Sequence, residues 1–429
     1  SGRMEFVTVR FYALSIFVIL CFSVCWGLSE GVPEFEKCKE YLTNSLFRKQ
    51  MEYPYFIGIV GLFEFDKRIN DEFGLVYSEL KYHHRLFQLF PLLSDDGKDI
   101  LRRFLKLGED KSCDQAYCIA YYNIIDTILK RQNKDVIYET SLCYSSDQKV
   151  RKGLELEYCF TSQNPFYFGR SGKDLTSSIN SAYASVADSE TVRYQHKNFN
   201  PQANFFIAGG VTVKPSLFKD YDYISSDVKF TNVDNNQQSV RWLKVSGRSS
   251  VYTKVGVGIK LKIYRTEMNS EGLYMMYFKP IYDSATNAYH RKSDIRSVFI
   301  DLQDYVKMSG ETVTSLSSLA VPYINIKSEI DLKPILESQS GYNLNRLFKE
   351  NMITELYQCG SHPIHELRMA DYFVNLGSHA DPKTDFGTIE EFVDSAFVFA
   401  VVDGPSNMIL KAGGFWRVSE YQVMSTMVQ

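Results

Sequence analysis

Near the end of the chain, an apolar run at 372–376 gives way to a polar stretch, and a second, longer apolar run follows at 397–402. Gly377, Pro382 and Gly387 punctuate the polar stretch, and Ser378, Asp381, Lys383, Thr384 and Asp385 keep it hydrated. No regular helix or strand should cross such a sequence. The segment 371–394 is therefore read as a loop displayed between two buried runs. Its composition alone also fits an ordinary surface connection, so the rest of the chain must decide its role.

With 429 residues and 45% hydrophobic content, the chain can bury a substantial core, as one large mixed domain or two ordinary ones. Lys and Arg total 48 against 51 Asp and Glu, a formal charge of −3, so no general field draws the molecule toward nucleic acid or anionic lipid. The aromatic content of 14%, with 29 Tyr and 30 Phe, favours sheet-rich packing, because rings fit a pleated surface.

At the N-terminus, Met4 and Arg10 precede an apolar run at 11–26 that ends at the small residues Gly27 and Ser29. This pattern is that of a cleaved secretory signal, with a retained signal anchor as the rival reading. Residues 1–29 are accordingly assigned to a short non-native remnant, Ser1–Arg3, plus the signal, and 30–429 to one domain. A secreted, extracellular monomer with no membrane span after cleavage is expected, since no other run approaches the roughly 20 residues a span needs. Cys21 and Cys25 fall in the signal, which leaves Cys38, Cys113, Cys118, Cys143, Cys159 and Cys359. Secretion permits disulfides, and Cys113–Cys118 and Cys143–Cys159 are plausible pairs, but spacing leaves the pairing open.

Helical periodicity dominates residues 33–107, with an amphipathic run at 99–107, and returns at 116–130. Within that region, 53–60 is short, aromatic and apolar and is read as a buried strand. After Asp135 the pattern turns to strand at 136–144, 165–169 and 203–213, with a helix expected at 175–187. From 239 to 300 the segments alternate or run apolar as sheet does. Helices early and strands late, with no βαβ alternation, predict an α+β domain with large, mostly antiparallel sheets.

Catalytic signatures are missing. GxSxG, GxGxxG, P-loop and HExxH spacings do not occur, and there is no CxxC for structural zinc. His362 and His365 form an HxxH pair, but Pro363 between them argues for a turn, and no carboxylate completes a site. No enzyme activity, metal or cofactor is expected.

The segment VPYINIKSEIDLKPIL at 321–336, followed by LFKENMI at 347–353, resembles the late part of serpins, whose familiar run is LPKFKIxSEYDLKxIL with an LF-containing helix after it. The block AFVFAVVDGPSNMILKAGGFWRV at 396–418 resembles the closing hairpin of the same family. The pair Ile179–Asn180 and the strand-like stretches 203–221 and 273–281 extend the resemblance over most of the chain beyond Asp135. It implies a serpin fold: α+β, one large mixed β-sheet plus two smaller sheets, with about eight or nine flanking helices. It also implies that the displayed loop occupies the reactive-loop position, where cleavage by a serine protease lets the loop enter the main sheet as a new strand.

The loop departs from that pattern. Its hinge is carried by Gly377, Ser378, His379, Ala380, Asp381, Pro382 and Lys383. Gly377 and Ser378 suit insertion, whereas Asp381 brings a charge and Pro382 lacks an N–H for the ladder. Counting from Gly377 in the family register puts the candidate scissile bond at Glu391–Phe392, only a few residues before the strand at Phe397, while Lys383 lies too early to serve as bait. The family's SPLS corresponds to Ile57, Gly58, Ile59 and Val60, its Trp after the FKG turn to Leu217, and its strand His is two residues out of register at His365. The expectation is a secreted serpin-like protein, non-inhibitory or impaired in insertion, that binds an extracellular protein or carries a ligand. The alternative is a working serine protease inhibitor that uses 377–394 as bait.

Overall fold

A computed structural model describes most of residues 55–113, the strands 136–144, 166–168 and 205–213, and most of 221–375 and 388–418. In chain order these comprise α1 (Tyr55–Arg68), β1 (Gly74–Tyr77), α2 (Asp95–Phe104), β2 (Val136–Tyr144), β3 (Phe166–Phe168), β4 (Phe205–Val213) and β5 (Tyr221–Ile224). The short β6 (Phe230–Thr231) and β7 (Gln237–Gln238) follow, then β8 (Trp242–Val245), β9 (Ser249–Val255), β10 (Lys260–Glu267) and β11 (Leu273–Pro280). Next come α3 (Ala288–Ile300), α4 (Leu302–Val306), β12 (Thr314–Leu316), β13 (Leu319–Pro322), β14 (Asn325–Asp331), α5 (Leu332–Glu337) and α6 (Asn345–Lys349). The chain closes with β15 (Glu366–Val374), β16 (Glu391–Phe392), β17 (Phe397–Asp403) and β18 (Met408–Phe415).

Three larger sheets and a two-stranded ribbon, β6–β7, organise these strands. A seven-stranded sheet, β1-β18-β17-β11-β10-β9-β12, is antiparallel throughout. A five-stranded sheet, β14-β15-β4-β2-β3, is mixed, with β15–β4 and β2–β3 parallel. A four-stranded sheet runs β16-β13-β8-β5. The mixed sheet expected from the sequence is thus the five-stranded one, and the largest among the described residues is antiparallel, because the closing hairpin β17–β18 continues the meander β9–β11.

The sheets share one core. On β15, Leu367, Met369, Asp371 and Phe373, which alternate along the strand and so share a face, are all buried. Phe373 stacks on Phe399 of β17 at 4.8 Å, and the Val76 amide of β1 donates to Ser328 Oγ of β14 at 3.0 Å, so the mixed sheet lies on the hairpin layer. Asp403 shapes the hairpin turn: its Oδ2 accepts from the Ser406 amide at 3.3 Å and from the Ser406 hydroxyl at 2.5 Å.

The 53–60 stretch is helical from Tyr55, not a strand. Its helical stripe is completed by Gly61, Glu64, Phe65 and Arg68, and Glu64 and Arg68 are buried as an ion pair 2.6 Å apart, which disguises the apolar period. A Cβ on Gly61 would lie 2.5 Å from Phe299 Cδ1, so glycine sets the close approach of α1 to α3. Helix α3 also falls where strand was expected. Only Ile295, Val298 and Phe299 of its 13 residues are buried, too thin a stripe to stand out in sequence. The expected strands 136–144, 165–169 and 203–213 are β2, β3 and β4, whereas the expected helices 116–130 and 175–187 and the signal 1–29 lie outside the described residues. Cys113 is disulfide-bonded. No helix among the described residues is long and apolar enough to cross a membrane.

Candidate functional site

The site is the chain between β15 and β16, defined by how its two ends are held. Asn375 fixes the first end. Its backbone N–H donates to Ile324 O at 3.2 Å, its side-chain Oδ1 accepts from Ile324 N at 2.8 Å, and its Nδ2 donates to Pro322 O at 2.9 Å. Fully buried, it ties the end of β15 to the crossing between β13 and β14.

Four residues earlier, Asp371 anchors β15 into the core. Its Oδ2 accepts from the Ser78 amide at 2.9 Å, and Lys411 Nζ of β18 lies 3.4 Å from Oδ1. Burial pulls the Lys411 ammonium below its usual range, partly offset by attraction to Asp371. Nearby Tyr82 is pushed well up by burial, then by the Asp371 charge. The sequence reading placed Asp371 at the start of the displayed loop, but it is a buried strand residue.

The second end is held from the four-stranded sheet. Ser318 Oγ donates to Thr388 O at 3.0 Å, and the Ser317 amide donates to Glu390 Oε2 at 2.7 Å. Glu391 sends its carboxylate across to β10, where Lys262 Nζ lies 2.5 Å and Tyr264 Oη 3.2 Å away. Burial, then the Glu391 charge, keeps the Tyr264 hydroxyl protonated far above its usual range. The Phe392 ring meets Trp242 edge-on at 5.2 Å, and Lys279 Nζ bridges Phe392 O at 3.1 Å and Asp394 Oδ1 at 2.7 Å. The Val393 amide donates to Ala320 O at 2.9 Å.

Glu391 and Phe392 therefore form β16, parallel to β13, instead of standing in a free loop. A protease could reach the bond between them only after this strand left its sheet. The hinge residues Gly377, Ser378, His379, Ala380, Asp381, Pro382 and Lys383 lie outside the described residues, as does His362. Lys262, Tyr264, Lys279, Ser78 and Lys411 gave no signal in the sequence. Each is an ordinary strand or loop residue whose partner lies far away in the chain.

The strands that an inserted loop would have to part are in direct contact. β4 and β15 pair in parallel from Glu366↔Phe206 to Asp371↔Val211, with no strand between them. A loop leaving the end of β15 would turn back and enter antiparallel to both.

With this architecture in view, comparison with solved structures defines the class: the chain has the serpin fold. It superposes on the serpin from the trematode Schistosoma haematobium with a TM-score of 0.65 at 12% identity, covering 85% of this chain and 98% of that one. For native protease nexin-1 with heparin the values are 0.66 and 14%, with 86% and 99% coverage, and for mouse protein Z-dependent protease inhibitor 0.66 and 12%, with 89% and 100%. No family model and no curated sequence matches the chain. The likeness therefore rests on fold, which survives sequence divergence better than any motif.

Proposed function

We propose that this chain is a secreted serpin-family protein that does not trap proteases by loop insertion and acts by binding an extracellular protein or a carried ligand. The observation that carries this reading is the anchoring of Glu391–Phe392 inside β16, clamped by Lys262 and Lys279. A substrate bond must be drawn into a protease cleft in extended form, and a strand paired to β13 cannot offer itself that way.

The loop sequence supports the same reading. Strand alternation puts Ser378, Ala380, Pro382, Thr384 and Phe386 on one face of an inserted strand and His379, Asp381, Lys383 and Asp385 on the other. With the first set facing inward, the charges stay outside, so Asp381 is not by itself the obstacle. Pro382 is an obstacle in either orientation, because a central strand needs every N–H and proline has none.

Incubation with a panel of serine proteases, followed by denaturing gels, tests the proposal. Cleavage without a covalent complex, or no cleavage, is expected, and an SDS-stable complex would refute it. The inhibitory alternative draws on one observation, the direct pairing of β4 with β15, which leaves the mixed sheet in a state that an entering strand could still expand. It requires a large rise in melting temperature after a clean cut between 376 and 390, as release of stored strain would give.

A further inference from the structure

Helices α1 and α3 pack against each other in opposite directions. Arg296 Nε donates to Asp66 Oδ1 at 3.2 Å, and one turn on in α1 and one turn back in α3, Lys292 Nζ donates to Asn70 Oδ1 at 2.8 Å. Glycine lets the axes come close, since a Cβ on Gly58 would lie 3.0 Å from Phe299 O and 3.5 Å from Ile300 Cα. Ile300 therefore sits beside the first turns of α1. The helical period puts Ile59, Phe63 and Asp66 on one stripe of α1, and Tyr289, Arg296 and Ile300 on one stripe of α3. These two stripes form the rims of an outward-facing seam.

Of the seven large hydrophobic side chains exposed among the described residues, three stand on these rims: Phe63 at 37%, Ile300 at 42% and Tyr289 at 76%. Ile59 and Leu62 are half-buried and continue the apolar surface down to the core. Phe63, Ile59 and Ile300 gather at one end of the seam, and Tyr289 marks the other, eleven residues and about 16 Å away along α3. The two hydrogen-bonded pairs lie between them. Exposed apolar surface concentrated in this way, between two helices and bordered by polar groups, is the form of a groove that receives the apolar face of a third helix.

The chain immediately before α1 carries the matching pattern. Phe35, Cys38, Leu42 and Leu46 recur at intervals of three and four residues, the spacing of a single helical stripe, and from Phe35 to Leu46 that stripe covers the same eleven residues and about 16 Å as the seam. The eight residues 47–54 link it to Tyr55 and reach up to about 26 Å when extended, enough to fold back. We propose that the segment 35–46 docks as a helix in the α1–α3 seam, antiparallel to α1, with Leu42 and Leu46 on Phe63 and Ile300 and with Phe35 on Tyr289. The short tether gives the segment an effective concentration of about millimolar, so it outcompetes a second copy of the chain for the same groove. This docking is independent of whether the loop traps proteases.

Hydrogen exchange on the full chain tests it. Amides 38–46 are expected to exchange at least about tenfold more slowly than those of an unstructured chain. Phe63→Asp and Ile300→Asp, changes at exposed positions that spare the core, should each speed exchange in 38–46 by about tenfold, and Leu42→Asp should do the same from the side of the segment. Exchange in β17 should stay unchanged in all three, which shows that the body remains folded. Val255→Asp, at an exposed apolar residue of β9 far from the seam in sequence, should leave the segment as protected as in wild type. Absence of protection in wild type, or unchanged protection in folded Phe63→Asp and Ile300→Asp variants, would overturn the proposal. So would a dimer in sedimentation that Phe63→Asp dissociates, because the seam would then belong to a second copy.

Discussion

Lys411 Nζ lies 3.4 Å from Asp371 Oδ1, and both side chains are sealed from solvent between the hairpin strand β18 and the loop-bearing strand β15. The pair joins the two sheets beneath the base of the candidate loop. Taking two charges out of water costs several kcal/mol each, and their attraction only roughly offsets that, so the pair acts more as a fixed register than as a source of stability.

Replacing Lys411 by Met should destabilise the protein by about 3–5 kcal/mol, because Asp371 is left charged and buried without its cation. Adding Asp371→Asn, which still accepts from the Ser78 amide, should recover most of that loss. Burial depresses the folded-state value of Lys411, so its contribution is fully present above the unfolded value and fades as pH falls toward the depressed one. Urea unfolding of wild type and Lys411→Met across the alkaline range checks both points. The gap between them should widen in favour of wild type as pH is raised toward about 10.

Glu391→Ala should loosen β16. The pair with Lys262 is partly exposed, so the loss is modest, about 1–2 kcal/mol including the unpartnered Tyr264 hydroxyl. Hydrogen exchange at the Val393 amide, which donates to Ala320 O, should quicken in this variant while exchange in β17 stays unchanged.

Asn375→Ala strands two buried backbone groups, Ile324 N–H and Pro322 C=O, and should cost about 2–4 kcal/mol. Limited proteolysis should then cut residues near 376 faster than in wild type. Unchanged stability and cleavage would mean that water replaces the amide, and the anchoring role would fall.

Pro382→Ala supplies the backbone N–H that the loop lacks at this position. If Pro382 blocks insertion, the variant cut between 376 and 390 should melt about 1 °C above the equally cut wild type, as regained hydrogen bonding of about 1 kcal/mol implies for a chain of 429 residues. Equal melting points would show that the obstacle lies in the anchored ends instead.

Much of the architecture was legible because strands announce themselves as short alternating or continuously apolar runs. The stretches that became β2, β10, β11 and β17 read directly as sheet, and the segments at 321–336 and 396–418 carried the serpin resemblance that the fold comparison supports. Elements whose buried faces carry charge or little apolar surface were not legible. Helix α1 hides its stripe behind the Glu64–Arg68 pair, α3 buries three residues, and β1 is four residues long.

The sequence by itself determined that a polar, turn-rich segment joins two apolar runs, and that Pro382 within it has no N–H to give a strand ladder. Only the tertiary structure decided where that segment begins and ends. Asp371 is drawn into the core by Lys411, Asn375 is tied to Pro322 and Ile324, and Glu391–Phe392 are paired in β16 under Lys262 and Lys279. Each of those contacts joins residues separated by tens to hundreds of positions. Local pattern cannot register such a contact, because its energy exists only once the sheets have met.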